Sequence, residues 1–284
     1  MLAARRATIA ALEPPAPTPE IRVLQADWSG VRCVVCTPPE PRDVLLYLHG
    51  GGYRLGRAAE FTPFAARLAA ATRAEVVVVD YRLAPEYPYP AALHDTASVY
   101  TRLVAASKRP PILVGDSAGG GLAAALTIAT GRAGTAPPRG LVLISAWLDL
   151  HCTAPSYRSR AAHDRMFSLA SAREAADQYL QGHHPDDPLA SPVLGDVTGF
   201  PPTLLFASSD EVLLDDTIRM ASALAQARVP VATRIMPGLP HTWPNVLPDH
   251  PDTTAALRTI AHFVDGSSPP DARPHATPTP PLSP

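Results

Sequence analysis

The chain has 284 residues, of which 46% are hydrophobic and 18% are charged, and its formal net charge is −2. This length allows one sizeable core and favours a single main domain. The near balance of charge argues against a nucleic-acid-binding protein, and no apolar run reaches the roughly 18 residues of a membrane helix.

Residues 1–30 are expected to form a short amino-terminal segment that includes a short helix. Their apolar part is too short and broken for a leader peptide, so we expect a cytoplasmic protein. Strand and helix patterns alternate from there to about residue 265. The predicted strands are 31–36, 44–49, 75–80, 112–115, 140–145, 203–207 and 232–236. The predicted helices are 61–72, 91–106, 118–129, 215–227 and 253–264.

This alternation predicts an α/β fold with a mostly parallel sheet that is covered by helices on both faces. Its functional loops should lie at the carboxyl ends of the strands. Residues 150–200 interrupt the alternation with a helix at 171–181 between polar, proline-rich loops, which is typical of a cap over a site. The Pro- and Ser-rich tail at 266–284 is predicted to be disordered.

Ser117 is the candidate nucleophile. It lies in G-D-S-A-G at 115–119, between an apolar strand pattern and an alanine-rich helix pattern. This arrangement fits the G-x-S-x-G elbow, in which the serine occupies a sharp turn from strand to helix. The free N–H groups at the start of the helix would favour an anion beside the hydroxyl.

A glycine-rich loop upstream predicts an oxyanion hole. The sequence H-G-G-G-Y at 49–53 follows an apolar strand, as does the H-G-G-G motif of lipases and esterases. Backbone N–H groups aimed at a developing oxyanion would stabilise the transition state of ester cleavage. We assign these donors to Gly51, Gly52 and Ala118.

A base and an acid should follow the serine in chain order. His241 is the candidate base because of its place in a loop after a late strand. Asp210 and Glu211 are adjacent candidates for the acid after the strand at 203–207, and only one of them can point at the imidazole. Asp215 and Asp216 are expected to cap the next helix.

These motifs, with Y-R-L-A-P-E-Y-P-Y-P-A-A-L-H-D at 81–95, resemble the hormone-sensitive-lipase-like branch of the α/β-hydrolases, in its G-D-S-A-G subgroup. The resemblance covers about residues 30–265. It implies an α/β-hydrolase fold with a small helical cap, and serine-dependent hydrolysis of carboxylic esters without a cofactor. Ser117 and His241 match the family's nucleophile and base.

The resemblance also bears on the acid. The family pattern D-P-L-x-D matches E-V-L-L-D when Glu211 takes the first position, because Leu213 and Asp215 then fit the spacing. We therefore prefer Glu211, with Asp210 as the alternative. Either carboxylate could orient the imidazole and stabilise its charged form.

No metal site is predicted. Cys33 and Cys36 form a C-x-x-C, but they lie in a strand pattern, where residues three apart face opposite sides. Cys152 stands alone, and the chain has no compact set of Cys and His ligands.

The pocket is predicted less sharply. Fewer residues precede the H-G-G-G motif than is usual in the family, so the amino-terminal part of the cap should be small and the pocket wide. Such a pocket should tolerate bulky groups and should not favour long acyl chains. The candidate wall residues are Tyr53, Tyr87, Tyr89, Asp116, Met166, Phe167 and Trp243.

Two classes of function are compatible with these features. The first is a serine hydrolase that cleaves an ester, a lactone or an acetyl group of a small metabolite. The alternative is an acyltransferase, or a non-hydrolytic cyclase or lyase on the same scaffold. The complete set of nucleophile, base and acid favours the first class. A homodimer is left open.

Overall fold

The computed structural model describes residues 2–10, 20–107 and 109–266, so the predicted tail from residue 267 onward lies outside the described residues. Within them, one sheet has the strand order β1-β2-β4-β3-β5-β6-β7-β8. The strands are β1 (Arg22–Trp28), β2 (Val31–Thr37), β3 (Asp43–Leu48), β4 (Ala74–Val79), β5 (Ile112–Asp116), β6 (Leu141–Ile144), β7 (Thr203–Ser208) and β8 (Val231–Met236).

The sheet is mostly parallel, as predicted. β2 runs antiparallel to both of its neighbours, β1 and β4, whereas every pair from β4 to β8 is parallel. All five residues of β5 are buried. Central strands of a parallel sheet are covered on both faces, and this is why they appear in the sequence as continuous apolar runs.

Helices cover both faces of the sheet. They are α1 (Leu2–Ala10), α2 (Thr62–Thr72), α3 (Ala91–Ala106), α4 (Ala118–Arg132), α5 (Ser156–Ser159), α6 (Leu169–Leu180), α7 (Leu214–Gln226), α8 (Trp243–Val246) and α9 (Pro251–Val264). One apolar layer joins α3, α4, α6 and α7 to the sheet, and the other joins α2 and α9 to its opposite face. None of the described helices has both the length and the apolar character needed to cross a membrane.

The two cysteines of the C-x-x-C motif lie on opposite faces, as the strand pattern predicts. Cys33 packs into the layer that contains α3 and α4, and Cys36 packs into the layer that contains α2. Both thiols are buried and free. Burial raises the pKa of the Cys36 thiol to about 11, so it stays protonated near neutral pH.

β1 is the one strand that the sequence analysis did not predict. It is an edge strand with mostly exposed or half-buried residues, so it lacks the apolar run that marks the central strands. The sequence does carry a local signal for this strand, the dipeptide Ser29-Gly30. These two residues have φ values of 57° and 79° and join β1 to β2 in a tight hairpin. Such two-residue turns favour glycine and predict a hairpin between flanking strands.

The predicted capping role of Asp215 and Asp216 is wrong. Both residues lie in the first turn of α7, but no side chain caps the start of this helix. Their carboxylates bond instead to the chain that follows β6. Asp216 accepts hydrogen bonds from the N–H groups of Leu148 (2.8 Å) and Asp149 (3.0 Å), and Asp215 accepts one from Ser156 (2.8 Å). These bonds satisfy buried backbone donors at the point where the chain leaves the sheet for α5 and α6.

Candidate active site

Ser117 lies at the sharp turn between β5 and α4. Its φ of 51° and ψ of −122° place it in a region that non-glycine residues rarely adopt. The surrounding backbone holds the turn in place: Ser117 N donates to Ile144 O at 2.9 Å, and Trp147 N donates to Ser117 O at 2.9 Å. The hydroxyl is therefore presented above the carboxyl end of the sheet.

Two glycines allow this turn to pack closely. A Cβ atom at Gly119 would overlap the carbonyl oxygen of Leu48, and one at Gly115 would overlap the carbonyl oxygen of Gly119. The elbow thus lies directly against the end of β3, which leads into the H-G-G-G loop.

The imidazole of His241 lies between a hydroxyl and a carboxylate. Its Nε2 is 2.9 Å from Ser117 Oγ, and its Nδ1 is 2.9 Å from Glu211 Oε2. These residues come from the ends of three different strands, β5, β7 and β8. The side chain of Glu211 is fully buried, and its second oxygen accepts a hydrogen bond from Ser208 N at 3.3 Å.

Glu211, rather than Asp210, faces the imidazole. Asp210 is half-buried beside it and accepts a hydrogen bond from Ser209 Oγ at 3.2 Å. Its backbone N–H donates to Ser208 Oγ at 3.1 Å. The geometry therefore agrees with the spacing argument from Leu213 and Asp215, although the role of Glu211 as acid is a proposal.

The charge of Glu211 changes the proton affinity of His241, the candidate base. Burial by itself lowers the pKa of His241, but the hydrogen bond to Glu211 and its negative charge outweigh burial. Asp164 and Asp116 add smaller effects of the same sign, so the pKa of His241 lies above its ordinary value. A base of this kind is suited to accept a proton from the serine and hold it as an imidazolium.

The H-G-G-G loop lies beside Ser117. Gly51 and Gly52 have positive φ values of 119° and 61°, so this path of the backbone favours glycine. Among the described residues, nothing accepts a hydrogen bond from the N–H groups of Gly51, Gly52 or Ala118. These donors are therefore free for a ligand, as an oxyanion hole requires.

Asp116 ties this loop to the elbow. Its Oδ1 accepts hydrogen bonds from Gly50 N (2.9 Å) and from the hydroxyl of Tyr47 (2.6 Å). Burial raises the pKa of Asp116 to about 6, against the lowering effect of these two bonds and of the charge of His241.

His49, which opens the motif, is a structural part of the loop. Its ring is stacked between Phe61 (centroid distance 4.8 Å) and Tyr81 (4.3 Å), and its Nδ1 lies 2.7 Å from Gly50 O. Burial lowers the pKa of His49 to about 4, so the imidazole is neutral near pH 7. It therefore adds no charge to the site.

A cleft of about 220 Å³ opens over Ser117. Its walls are residues Gly50, Gly51, Gly52, Arg54, Leu55, Phe61, Asp116, Met166, Phe167, Ser171, Ala175, His241, Thr242, Asn245 and Val246. This volume is below the roughly 300–1,000 Å³ of most small-molecule pockets. The expected wide pocket is therefore wrong: the cleft is narrow, and Met166, Phe167 and two residues of α6, Ser171 and Ala175, form one of its walls.

Three of the predicted wall residues lie at this cleft. They are Asp116, Met166 and Phe167, and the ring of Phe167 is stacked on the imidazole of His241 at 5.9 Å. Arg54, Leu55, Asn245 and Val246 also line it and were not predicted, because no local sequence pattern distinguishes them from residues outside a pocket.

The other predicted wall residues lie elsewhere in the described part of the chain. Tyr53 is buried, stacked on Tyr179 at 3.8 Å, and Tyr89 packs against the edge of the same ring. Trp243 is fully buried against Phe206. Tyr87 is 50% exposed and lines a separate cavity of about 510 Å³. Aromatic residues near a motif serve the core as readily as a pocket, which is why their type alone misled the prediction.

Comparison with known proteins identifies the family. The sequence profile of the alpha/beta hydrolase fold family matches residues 45–245. The chain belongs to this family, and the predicted α/β-hydrolase fold is confirmed.

Individual relatives narrow the comparison. The chain is 40% identical over 223 residues to an acetyl-hydrolase of Streptomyces hygroscopicus, a match that covers 78% of this chain and 74% of that protein. It is 34% identical over 256 residues to an esterase of Acinetobacter venetianus, covering 89% and 84%. The crystal structure of an esterase from the bacterial hormone-sensitive lipase family matches with a TM-score of 0.88 at 31% identity, covering 94% of this chain and 92% of that one. The predicted resemblance to hormone-sensitive-lipase-like esterases is confirmed.

Proposed function

We propose that this serine ester hydrolase cleaves a carboxylic ester, a lactone or an acetyl group of a small metabolite through an acyl-enzyme on Ser117. One observation carries the proposal. Two contacts of 2.9 Å connect Ser117 Oγ to the imidazole of His241 and the imidazole to the carboxylate of Glu211. A hydroxyl becomes a strong nucleophile only when an adjacent base can take its proton.

The first half of the reaction forms the acyl-enzyme. Ser117 Oγ attacks the substrate's carbonyl carbon while its proton moves to Nε2 of His241. Nδ1–H of the imidazolium donates to Glu211, whose buried charge stabilises the cation. The carbonyl oxygen becomes an oxyanion and accepts hydrogen bonds from the N–H groups of Gly51, Gly52 and Ala118. The acyl-enzyme forms when the bond between the carbonyl carbon and the alcohol oxygen breaks and Nε2–H gives its proton to the departing alcohol.

The second half of the reaction returns the enzyme to its starting state. A water molecule then attacks the acyl carbon and loses a proton to His241. The carboxylic acid leaves as Ser117 Oγ takes this proton back.

The cleft supports a short acyl group. Its volume of about 220 Å³ leaves little apolar wall for a long chain, and each buried methylene contributes only about 0.8 kcal/mol where such wall exists. The Streptomyces hygroscopicus relative is named as an acetyl-hydrolase. We propose that acetyl is also the preferred acyl group of this chain and that the protein is cytoplasmic; a homodimer is left open.

Ser117→Ala tests the mechanism. The variant should lose turnover of p-nitrophenyl acetate by about 10⁴-fold or more and should no longer be labelled by a fluorophosphonate. Ser98→Ala is a matched control, because Ser98 is exposed on α3 and its hydroxyl donates to His94 O. Circular dichroism would show that both variants keep the fold. Unchanged turnover in the Ser117 variant would refute the acyl-enzyme.

A further inference from the structure

We propose that Asp164 is a positioning residue of this reaction. Its carboxylate connects the cleft wall formed by Met166 and Phe167 to the loop that carries Glu211, the proposed acid. This role rests on the proposed function. Asp164 lies in the chain between α5 and α6, outside every motif described above, and it does not line the cleft.

One oxygen of Asp164 shapes the wall. Its Oδ1 accepts hydrogen bonds from the backbone N–H groups of Met166 and Phe167, both at 2.9 Å. These bonds fold the chain into a tight turn of the kind that Asp commonly forms with residues just ahead of it. The turn places the ring of Phe167 on the imidazole of His241 at 5.9 Å and against the edge of Trp147 at 5.4 Å.

The other oxygen reaches the acid loop. Asp164 Oδ2 accepts a hydrogen bond from Val212 N at 2.9 Å, across 48 residues of sequence. This N–H belongs to the peptide bond that joins Glu211 to Val212. The carbonyl oxygen of the same peptide accepts a hydrogen bond from Leu214 N at 3.3 Å. The peptide is therefore held at both of its polar atoms. This fixes the position of the backbone from which the Glu211 side chain extends.

Asp164 also contributes charge. The acidic groups that face the imidazole of His241 are Glu211, which bonds to it directly, then Asp164 and Asp116; Ser117 is the neutral partner on its other nitrogen. Burial lowers the pKa of His241, whereas the three carboxylates raise it. Their combined effect is the larger, so the pKa of His241 lies above its ordinary value. Asp164 thus acts on the base from the side of the cap, whereas Asp116 acts from β5.

Two variants separate these effects. Asp164→Ala removes the charge and all three hydrogen bonds. Asp164→Asn removes the charge but keeps one oxygen, which can still accept from Met166 and Phe167 while its amide group faces Val212. The matched control is Asp196→Ala, because Asp196 is exposed and its carboxylate bonds to Thr198 N at 2.8 Å within a similar turn.

The kinetic experiment uses p-nitrophenyl acetate across pH 5 to 9. We expect Asp164→Ala to lower kcat by roughly tenfold and to raise KM by roughly threefold, because both the acid and the wall lose their support. The acidic limb of kcat/KM should move down by about half a pH unit in both Asp164 variants. Asp164→Asn should show the shifted limb with a smaller change in KM, and Asp196→Ala should match the parent. A purely structural role would lower the amount of folded protein without moving the pH limb.

A measurement independent of turnover completes the test. Hydrogen exchange of the Val212 and Phe167 amides should be at least about tenfold faster in Asp164→Ala, since both lose their acceptor. Parent-like kinetics, pH limb and exchange in both variants would overturn the role of Asp164 and leave the proposed function standing. A parent enzyme without esterase activity would instead overturn the proposed function, and this role with it.

Discussion

Replacing Glu211 by Gln tests the proposed acid most directly, because the change removes a buried charge at almost constant volume. One oxygen of Glu211 lies 2.9 Å from His241 Nδ1, and the other accepts a hydrogen bond from Ser208 N at 3.3 Å. Gln has only one oxygen. If that oxygen stays with Ser208, the amide N–H faces Nδ1, which must then accept.

An accepting Nδ1 places the imidazole proton on Nε2, where it faces Ser117. The base can then no longer take the proton of the hydroxyl. If the amide turns over instead, its two N–H groups face Ser208 N–H, and the negative charge that stabilises the imidazolium is still missing. The comparable change in a serine protease costs about 10⁴-fold in kcat. We expect a loss of about 10³- to 10⁴-fold here, or about 4 to 5.5 kcal/mol of transition-state stabilisation.

Steady-state kinetics on p-nitrophenyl acetate would measure the loss, with Asp210→Asn as the matched control. The carboxylate of Asp210 bonds to Ser209 Oγ and does not touch the imidazole, so its variant should stay within about threefold of the parent. The reasoning is refuted if Asp210→Asn is the damaging change and Glu211→Gln is nearly as active as the parent.

The remaining predictions concern the elbow and the base. Gly119→Ala should lower the free energy of unfolding by about 3 kcal/mol or prevent folding, because its Cβ would overlap Leu48 O, whereas Gly131→Ala has open space and should be neutral or stabilising by up to about 1 kcal/mol. Urea unfolding measures both, and equal midpoints would contradict the steric argument. Only the neutral imidazole of His241 can accept the proton of Ser117, and its pKa is raised. Thus kcat/KM should fall as the pH drops through a midpoint above the ordinary 6.5; a pH profile with a midpoint below 6 would contradict the effect of the carboxylates.

The elements with strong local signals were predictable from the sequence. β4 is a nearly unbroken run of valines, and a strand buried on both faces has to appear so. β1 escaped prediction because an edge strand lacks this constraint: all of its residues are exposed or half-buried.

The same distinction applies to the site. Ser117 and the glycine loop could be predicted because the geometry of each is built within a few consecutive residues. Choosing Glu211 over Asp210 required a comparison with the family pattern D-P-L-x-D, in which the spacing to Leu213 and Asp215 decided the register. The cleft wall depends on packing between distant segments of the chain. The sequence alone does not distinguish a tyrosine buried in the core, such as Tyr53, from a tyrosine that lines a pocket. Asp164 was beyond reach because its partner Val212 is 48 residues away.

The separate origins of the wall and of the reacting atoms have a consequence for how the substrate range of such an enzyme can be altered. The proposed nucleophile, base and acid follow β5, β8 and β7, so the sheet fixes their spacing. Met166, Phe167, Ser171 and Ala175 belong instead to the insertion between β6 and β7. Saturation libraries confined to these four positions therefore sample new pocket shapes while the proposed nucleophile, base and acid stay unchanged. Selection on them should yield variants that differ in the esters they accept and agree in their response to a fluorophosphonate.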